Sequence, residues 1–213
     1  MEKIAVVDYG MSNLHSVTSA LNAVSNDRQI IEVCQRAEDI DNADRVVFPG
    51  QGAAADCMKQ IQACALVPGL KKAAQEKPFL GICMGMQVLL EHSEENGGTS
   101  CLGMVSGSVQ RFDTNMRIEG DRLKVPHMGW NQIQQTMDHP LWHGIHQDSY
   151  FYFVHSYYVA LAHNEKAAGR THYGIDFTSV LAQDNIFAMQ CHPEKSADNG
   201  LQLLKNFLNW SLE

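Results

Sequence analysis

The stretch "LGICMGMQVLLE", Leu80 to Glu91, decides how the rest of the chain is read. It continues a short apolar run from Phe79 and places one cysteine, Cys83, between Gly81 and Gly85. Such a run reads as a buried strand, and the apolar spacing of the following "GMQVLLEHS" reads as helix. A strand entering a helix through Gly-x-Cys-x-Gly has the form of a nucleophile elbow. The central residue sits on a sharp turn, and the flanking glycines remove side chains that would clash as the chain reverses. At a helix N-terminus, free N–H groups and the helix dipole favour a thiolate on Cys83. The N–H of Met84 would face an oxyanion.

Outward from this elbow, strands and helices alternate. "KIAVVDYG", "RQIIEVC" and "DRVVFPG" read as strands. "NLHSVTSALNAV", with Leu14, Val17, Leu21 and Val24 at helical spacing, reads as a helix, as do "AAADCMKQIQACALV" and "GLKKAAQE". Alternation of this kind implies βαβ units and a parallel sheet. Beyond the "SEENGGTS" loop, "GSVQRF", "LKVPHMGW", "NQIQQ", "YFYFVHSYYVA", "KAAGRTHYG", "FTSVLAQ" and "IFAMQCHPE" are closely spaced strands. They read as antiparallel additions to the sheet edge or a small second layer. "GLQLLKNFLNWSL" closes the chain as an amphipathic helix. The expected fold is one α/β domain over residues 1–213, a mixed, mainly parallel sheet with helices on both faces.

The 213 residues suffice for one sizeable core. A net charge of −8, from 16 Lys+Arg against 24 Asp+Glu, argues against nucleic acid or an anionic membrane as partner. "MEKIAVVDYG" is not a signal peptide, and no apolar stretch is long enough to span a bilayer. A cytoplasmic protein with reduced thiols is expected. The six cysteines show no C-x-x-C and no zinc-like spacing with histidine, so no metal is expected. Cys57 and Cys64, seven apart, are expected to share a helix face as small core residues.

A thiolate nucleophile needs a proton shuttle and a group to orient it. His15, His92, His139, His143, His146, His163 and His172 lie in helix, loop or polar contexts and read as surface residues. His192, in "MQCHPEKS", ends an apolar strand, and Pro193 biases it to an extended conformation. In extended chain Glu194 faces the same way as His192, so it can hold Nδ1–H and leave Nε2 for a thiol. Cys191 and Lys195 then face away. In "FPGQGAA", Gly50 and Gly52 let backbone N–H groups approach a ligand closely.

These pieces, in this order, resemble the class I (triad) glutamine amidotransferases over essentially the whole chain. "PGQGAA" resembles that family's oxyanion strand, "LGICMGMQVLLEHSEE" its elbow and "HPEKS" its His-Glu segment. "VDYGMSNLHSV", "VPHMGWN" and "FYFVHSYYV" are similar to the branch that serves histidine biosynthesis. The resemblance implies a flavodoxin-like fold and no cofactor. It makes Cys83 the nucleophile, His192 the general base and acid, and Glu194 the orienting carboxylate. Met84 and the Gly50, Gln51, Gly52 strand would form the oxyanion hole. Gly52, Gln87 and the Ser156-Tyr157 backbone would hold glutamine. The ammonia acceptor would be a (β/α)₈-barrel cyclase in a heterodimer. Met128, Gly129, Trp130 and Asn131 of "PHMGWN", with Lys195, would meet it. The chain departs from the family at Cys191, where an aromatic residue is usual, and at Ala53–Ala55, where many relatives carry a larger aromatic residue.

Three other readings compete. One is the same glutaminase serving another synthase, such as one that amidinates surface sugars. Another is an α/β-hydrolase-like thioesterase, in which the acid precedes the histidine by a wide gap. The third is a non-catalytic binding module, which a complete Cys83, His192 and Glu194 set argues against.

Overall fold

The computed structural model describes residues 1–118 and 121–212. The first half builds the parallel core expected of alternating strands and helices. Its strands are β1 (Glu2–Val7), β2 (Gln29–Cys34), β3 (Arg45–Gly50) and β4 (Phe79–Cys83). Its helices are α1 (Leu14–Val24), α2 (Ala37–Asp41), α3 (Ala54–Ala63), α4 (Val67–Glu76) and α5 (Met84–Gln87). The second half contains β5 (His92–Ser93), β6 (Thr99–Ser100), β7 (Gly107–Arg111), β8 (Arg117–Ile118), β9 (Asp121–Arg122) and β10 (His127–Gln135). Then come β11 (Ser149–His155), β12 (Tyr157–Leu161), β13 (Ala167–His172), β14 (Asp176–Gln183), β15 (Ile186–Met189) and helix α6 (Ala197–Asn209).

The main sheet runs β2-β1-β3-β4-β15-β14-β12-β7-β5-β6. From β2 to β15 every pair is parallel, and β14 begins the antiparallel part. Strands β10, β11 and β13 join through β13–β14 and β10–β13 pairing. The expected second-half additions therefore extend one sheet.

Residues 4–7 of β1, residues 46–50 of β3 and Phe79–Cys83 of β4 are buried and apolar at every position because both faces are covered, whereas the edge strand β2 carries Gln29 and Glu32. Ala5, Val7, Val46 and Phe48 pack with α2, α3 and α4, whereas Ile4, Val6, Val47, Leu80 and Ile82 pack with α1 and α6. On the second side Val17 and Leu21 of α1 share a cluster with Leu203, Leu204 and Phe207 of α6. Each such side chain contributes roughly 1.5–3 kcal/mol by burial. Helix α6 stops where Arg45 takes its end: Nη1 donates to the carbonyls of Phe207 and Trp210, and Nε donates to Glu2 at 2.6 Å.

Several local expectations change. The helix after the elbow has four residues, not nine. Val88, Leu89 and Leu90 are all fully buried, so the segment has no polar face to turn to water. Their carbonyls accept N–H groups from Leu102, Gly103, Met104 and Val105 instead. "YFYFVHSYYVA" is two strands rather than one: it breaks at Ser156, with β11 pairing β10 and β12 pairing β7 and β14. "LKVPHMGW" and "NQIQQ" merge into the single strand β10. Cys57 is fully buried, but Cys64 caps the end of α3 and is exposed, because the helix stops at Ala63. His139 is half-buried against the rings of Phe187 and Trp210 rather than solvated. Among the described residues, no helix is long and apolar enough to cross a membrane.

Candidate active site

Cys83 ends β4 with φ 55° and ψ −111°, a backbone conformation that a side chain seldom tolerates. Holding it costs on the order of 1–3 kcal/mol, so the surroundings must impose it. They do so by contact. A Cβ on Gly85 would come 1.8 Å from the Phe48 carbonyl oxygen, and one on Gly81 would come 2.9 Å from Ala188 Cβ. The two glycines let α5 start directly against β3 and let β4 lie close to β15. Register places Gly50 opposite Cys83 and Met189 opposite Ile82. Three parallel strands thus deliver their carboxyl ends to one place, where open α/β sheets bind ligands.

His192 arrives three residues after β15, in extended conformation (φ −104°, ψ 97°) ahead of Pro193. Its Nδ1 lies 2.8 Å from Glu194 Oε1, with both side chains buried. A carboxylate only accepts, so Nδ1 carries the proton and Nε2 is left for Cys83. The pairing is as expected, but its geometry is not extended chain. Pro193–Lys195 form a single 3₁₀ turn, tied to β11 by the Ser196 hydroxyl, which donates to the His192 carbonyl and accepts from Tyr152 N–H. Burial by itself would lower the imidazole pKa. The Cys83 charge and hydrogen bond, then the Glu194 hydrogen bond and charge, outweigh it and raise the pKa well above the usual histidine range. The imidazole is therefore held as the imidazolium beside Cys83.

A cavity of about 400 Å³ opens over Cys83 and His192. Of the residues expected at the site it brings in Gln51, Gly52, Met84, Gln87, Ser156 and Tyr157. Gly50 stays outside its lining, packed so that a Cβ there would meet the Tyr9 hydroxyl. Lys195 also lines the cavity, which corrects the expectation that it faces away; the 3₁₀ turn, not an extended chain, sets its direction.

Gln87 makes a specific arrangement. Its Nε2 donates to Gln190 Oε1 at 2.8 Å and to the Tyr157 carbonyl at 3.3 Å. Its Oε1 is buried without a partner. Gln190 in turn points Nε2 at Cys83 Sγ, 3.7 Å away. Gln190 was missed in the sequence although a signal existed: it sits two residues before His192, on the same side of an extended segment. Glu95 was missed as well; it lines the cavity while its Oε2 accepts the Ala54 N–H at the start of α3, 2.6 Å away.

The Gly50-Gln51-Gly52 segment, expected to supply N–H groups to an oxyanion, differs from that expectation at one donor. The Gln51 N–H is committed to the Met11 carbonyl at 2.8 Å, and the Gln51 carbonyl accepts from Cys57 Sγ at 3.3 Å. Cys191 is fully buried, and burial above all, then the nearby Glu194 charge, push its thiol pKa well up, so it is no nucleophile. Strand β10 turns two faces in opposite directions. Met128 and Trp130 are 62% and 53% exposed, whereas the Asn131 amide points inward to His127 Nε2 and the His172 carbonyl. Asn131 is thus not an outward-facing residue, because alternate positions on a strand face opposite sides. Among the described residues there is no cluster of three or more His, Cys, Asp or Glu arranged to hold a metal.

A nucleophile elbow, a buried His-Glu pair and the sheet order around them define a class. The chain belongs to the glutamine amidotransferase class-I family, whose model matches residues 5–210. Within that class it is 55% identical over 208 residues to the imidazole glycerol phosphate synthase subunit HisH of Hydrogenovibrio crunogenus, covering 98% of this chain and 96% of that protein. It is 52% identical over 210 residues to the subunit of the same name from Pseudomonas putida, covering 99% and 98%. Among solved structures, PurLQS from Thermotoga maritima matches with a TM-score of 0.74 at 16% identity, covering 98% of each chain. At that identity it speaks for the fold alone.

Proposed function

We propose that this chain is the glutaminase subunit of an imidazole glycerol phosphate synthase, hydrolysing glutamine through Cys83, His192 and Glu194. The observation that carries the chemistry is Cys83 held at positive φ beside an imidazole whose other nitrogen is fixed by a buried carboxylate. Gly52, Gln87, Ser156 and Tyr157 line the same cavity, where they would hold the head group of glutamine. The names of the similar HisH subunits support the histidine-pathway setting over a synthase for surface sugars.

In this reading the Cys83 thiolate attacks the glutamine Cδ, and the carbonyl π-electrons move onto oxygen. The N–H of Met84, first in α5 and without an intrahelical acceptor, stabilises that oxyanion, joined by an N–H of the Gly50–Gly52 strand. His192 donates its Nε2 proton to the departing nitrogen, so ammonia leaves and a γ-glutamyl thioester remains. Neutral His192 then takes a proton from water, which attacks the thioester; glutamate departs and the Cys83 thiolate returns with an imidazolium. Glu194 holds the ring and its charge throughout without transferring a proton.

Ammonia released into water becomes ammonium, which is not nucleophilic, so the product must pass directly to an acceptor. A (β/α)₈-barrel cyclase would use it to form imidazole glycerol phosphate and aminoimidazole carboxamide ribotide. The exposed Met128 and Trp130 suit the apolar centre of that interface, with Gly129 between them and Lys195 reaching it from the cavity wall. The test is glutamate release from glutamine by the chain alone, with the cyclase, and with cyclase plus its nucleotide ligand. Release dependent on Cys83 supports the reading, and none under any condition overturns it.

A further inference from the structure

His127 and His155 stand directly opposite each other where β10 begins and β11 ends. Both are buried, and neither belongs to the chemistry above. His155 Nδ1 lies 2.8 Å from the Tyr157 carbonyl, His127 Nδ1 lies 2.8 Å from His155 Nε2, and Asn131 Nδ2 lies 3.2 Å from His127 Nε2. This chain has one consistent assignment of protons. A carbonyl only accepts, so His155 carries its proton on Nδ1, and its neutral ring leaves Nε2 as acceptor. His127 must then donate from Nδ1 and accept at Nε2, where the Asn131 amide donates. Asn131 is itself fixed, because its Oδ1 accepts from Gln132 N–H and its Nδ2 also donates to the His172 carbonyl. Burial lowers His127 to about 4 and His155 to about 3, so both rings are neutral at pH 7.

The far end of the chain is the candidate site. The Tyr157 carbonyl accepts from His155 and from Gln87, which fills both its lone pairs. With Gln190 Oε1 it takes both N–H groups of Gln87, and this fixes the Gln87 side chain in the cavity wall. The near end is β10, whose opposite face presents Met128 and Trp130.

We propose that His127 and His155 are positioning residues, a proton-ordered pair that fixes the Tyr157 carbonyl and so holds the Gln87 side chain in the wall of the substrate pocket. This rests on the glutaminase reading, and it links the strand carrying the exposed Met128 and Trp130 to the substrate pocket by an unbroken run of hydrogen bonds. The pair acts through Gln87, so its loss weakens ground-state binding of glutamine more than turnover.

The test has two readouts on the full chain. Long-range ¹H–¹⁵N spectra of the imidazole rings should show both His127 and His155 protonated at Nδ1 and bare at Nε2 at pH 7. Protonation at Nε2 of either ring, or an imidazolium, overturns the proposal. In kinetics with the cyclase present, His127→Phe keeps the ring packing but cannot donate to His155. It should raise KM for glutamine about tenfold with kcat within about threefold. His127→Asn, whose Nδ2 can replace the Nδ1–H donor, should restore KM to within about threefold of the parent. Equal KM in all three folded proteins overturns the proposal. Should His127→Phe fail to fold, the ring spectra of the unaltered chain and the His127→Asn KM decide. An unaltered chain that releases no glutamate even with liganded cyclase counts against the glutaminase reading, and the ring nitrogens then decide the pair by themselves.

Discussion

The Gln51 N–H donates to the Met11 carbonyl at 2.8 Å, so a backbone donor of the strand over Cys83 is spent inside the protein. Gly50 and Gly52 flank this residue, and Gly52 already lies at φ 89°, so the peptides around Gln51 meet little steric resistance to rotation. Slow glutamine hydrolysis is therefore expected of the isolated chain. The liganded cyclase should raise kcat by about 10²–10³ while KM changes little, because the recovered hydrogen bond is made to the transition state. Steady-state kinetics with and without the partner check this. Full activity of the chain alone, or activation confined to KM, would defeat the idea.

Cys83→Ala should abolish glutamate release, a loss on the order of 10⁴-fold or more, with the fold and partner binding kept. Cys191→Ser is the contrast. That residue is fully buried, so the cost falls on stability, roughly 1–3 kcal/mol for a hydroxyl in an apolar site, and most activity remains. Urea unfolding alongside activity assays separates the two effects.

Glu194→Gln should lower turnover less than His192→Ala does. An amide keeps an oxygen near His192 Nδ1 but loses the charge that favours the imidazolium, while the alanine removes the proton carrier itself. In Glu194→Gln the alkaline limb of the rate profile should move to lower pH, because a support for the raised His192 pKa is gone. An unmoved limb would contradict the part given to Glu194.

His127 and His155 should make the protein acid-sensitive between pH 6.5 and 5. Their folded pKa values, about 4 and about 3, lie below the unfolded value near 6.5. In this window the unfolded chain binds protons that the folded chain refuses, so stability falls as pH falls. Each histidine contributes about 1–2 kcal/mol of that loss by pH 5. His192, raised rather than lowered, stays charged in the folded chain there; near pH 6.5, where the unfolded residue is half charged, it adds a slope of opposite sign, about 0.4 kcal/mol in all. His127→Phe should therefore lose less stability than the parent from pH 6.5 to 5, as read by urea titration at the two pH values.

Trp130→Ala should weaken the complex with the cyclase by about tenfold or more without harming the fold. Its ring is 53% exposed and packs edge-on to Tyr152, as an interface anchor would before its partner arrives. Calorimetry decides, and unchanged affinity would remove Trp130 from the interface.

Chain-local chemistry determined much of this protein. Gly81-Ile82-Cys83-Met84-Gly85 read as a tight strand-to-helix reversal, because glycine leaves room where the chain doubles back; that Phe48 and Ala188 fill this room belongs to the tertiary structure. The apolar runs of β1, β3 and β4 spelled a sheet covered on both faces, and the His192-Pro193-Glu194 spacing announced the imidazole's partner. What the sequence did not contain is what contacts distant in the chain decide. Helix α5 ends after one turn because the carbonyls beyond it find N–H groups near residue 103, and Lys195 enters the cavity because Ser196 ties its turn to Tyr152. The Gln51 donor turns to Met11, and His127 meets His155 only because β10 and β11 pair in one register. Local pattern fixes backbone conformation over a few residues. Which donor meets which acceptor depends on strands brought together from far apart, and only the tertiary structure supplies that pairing.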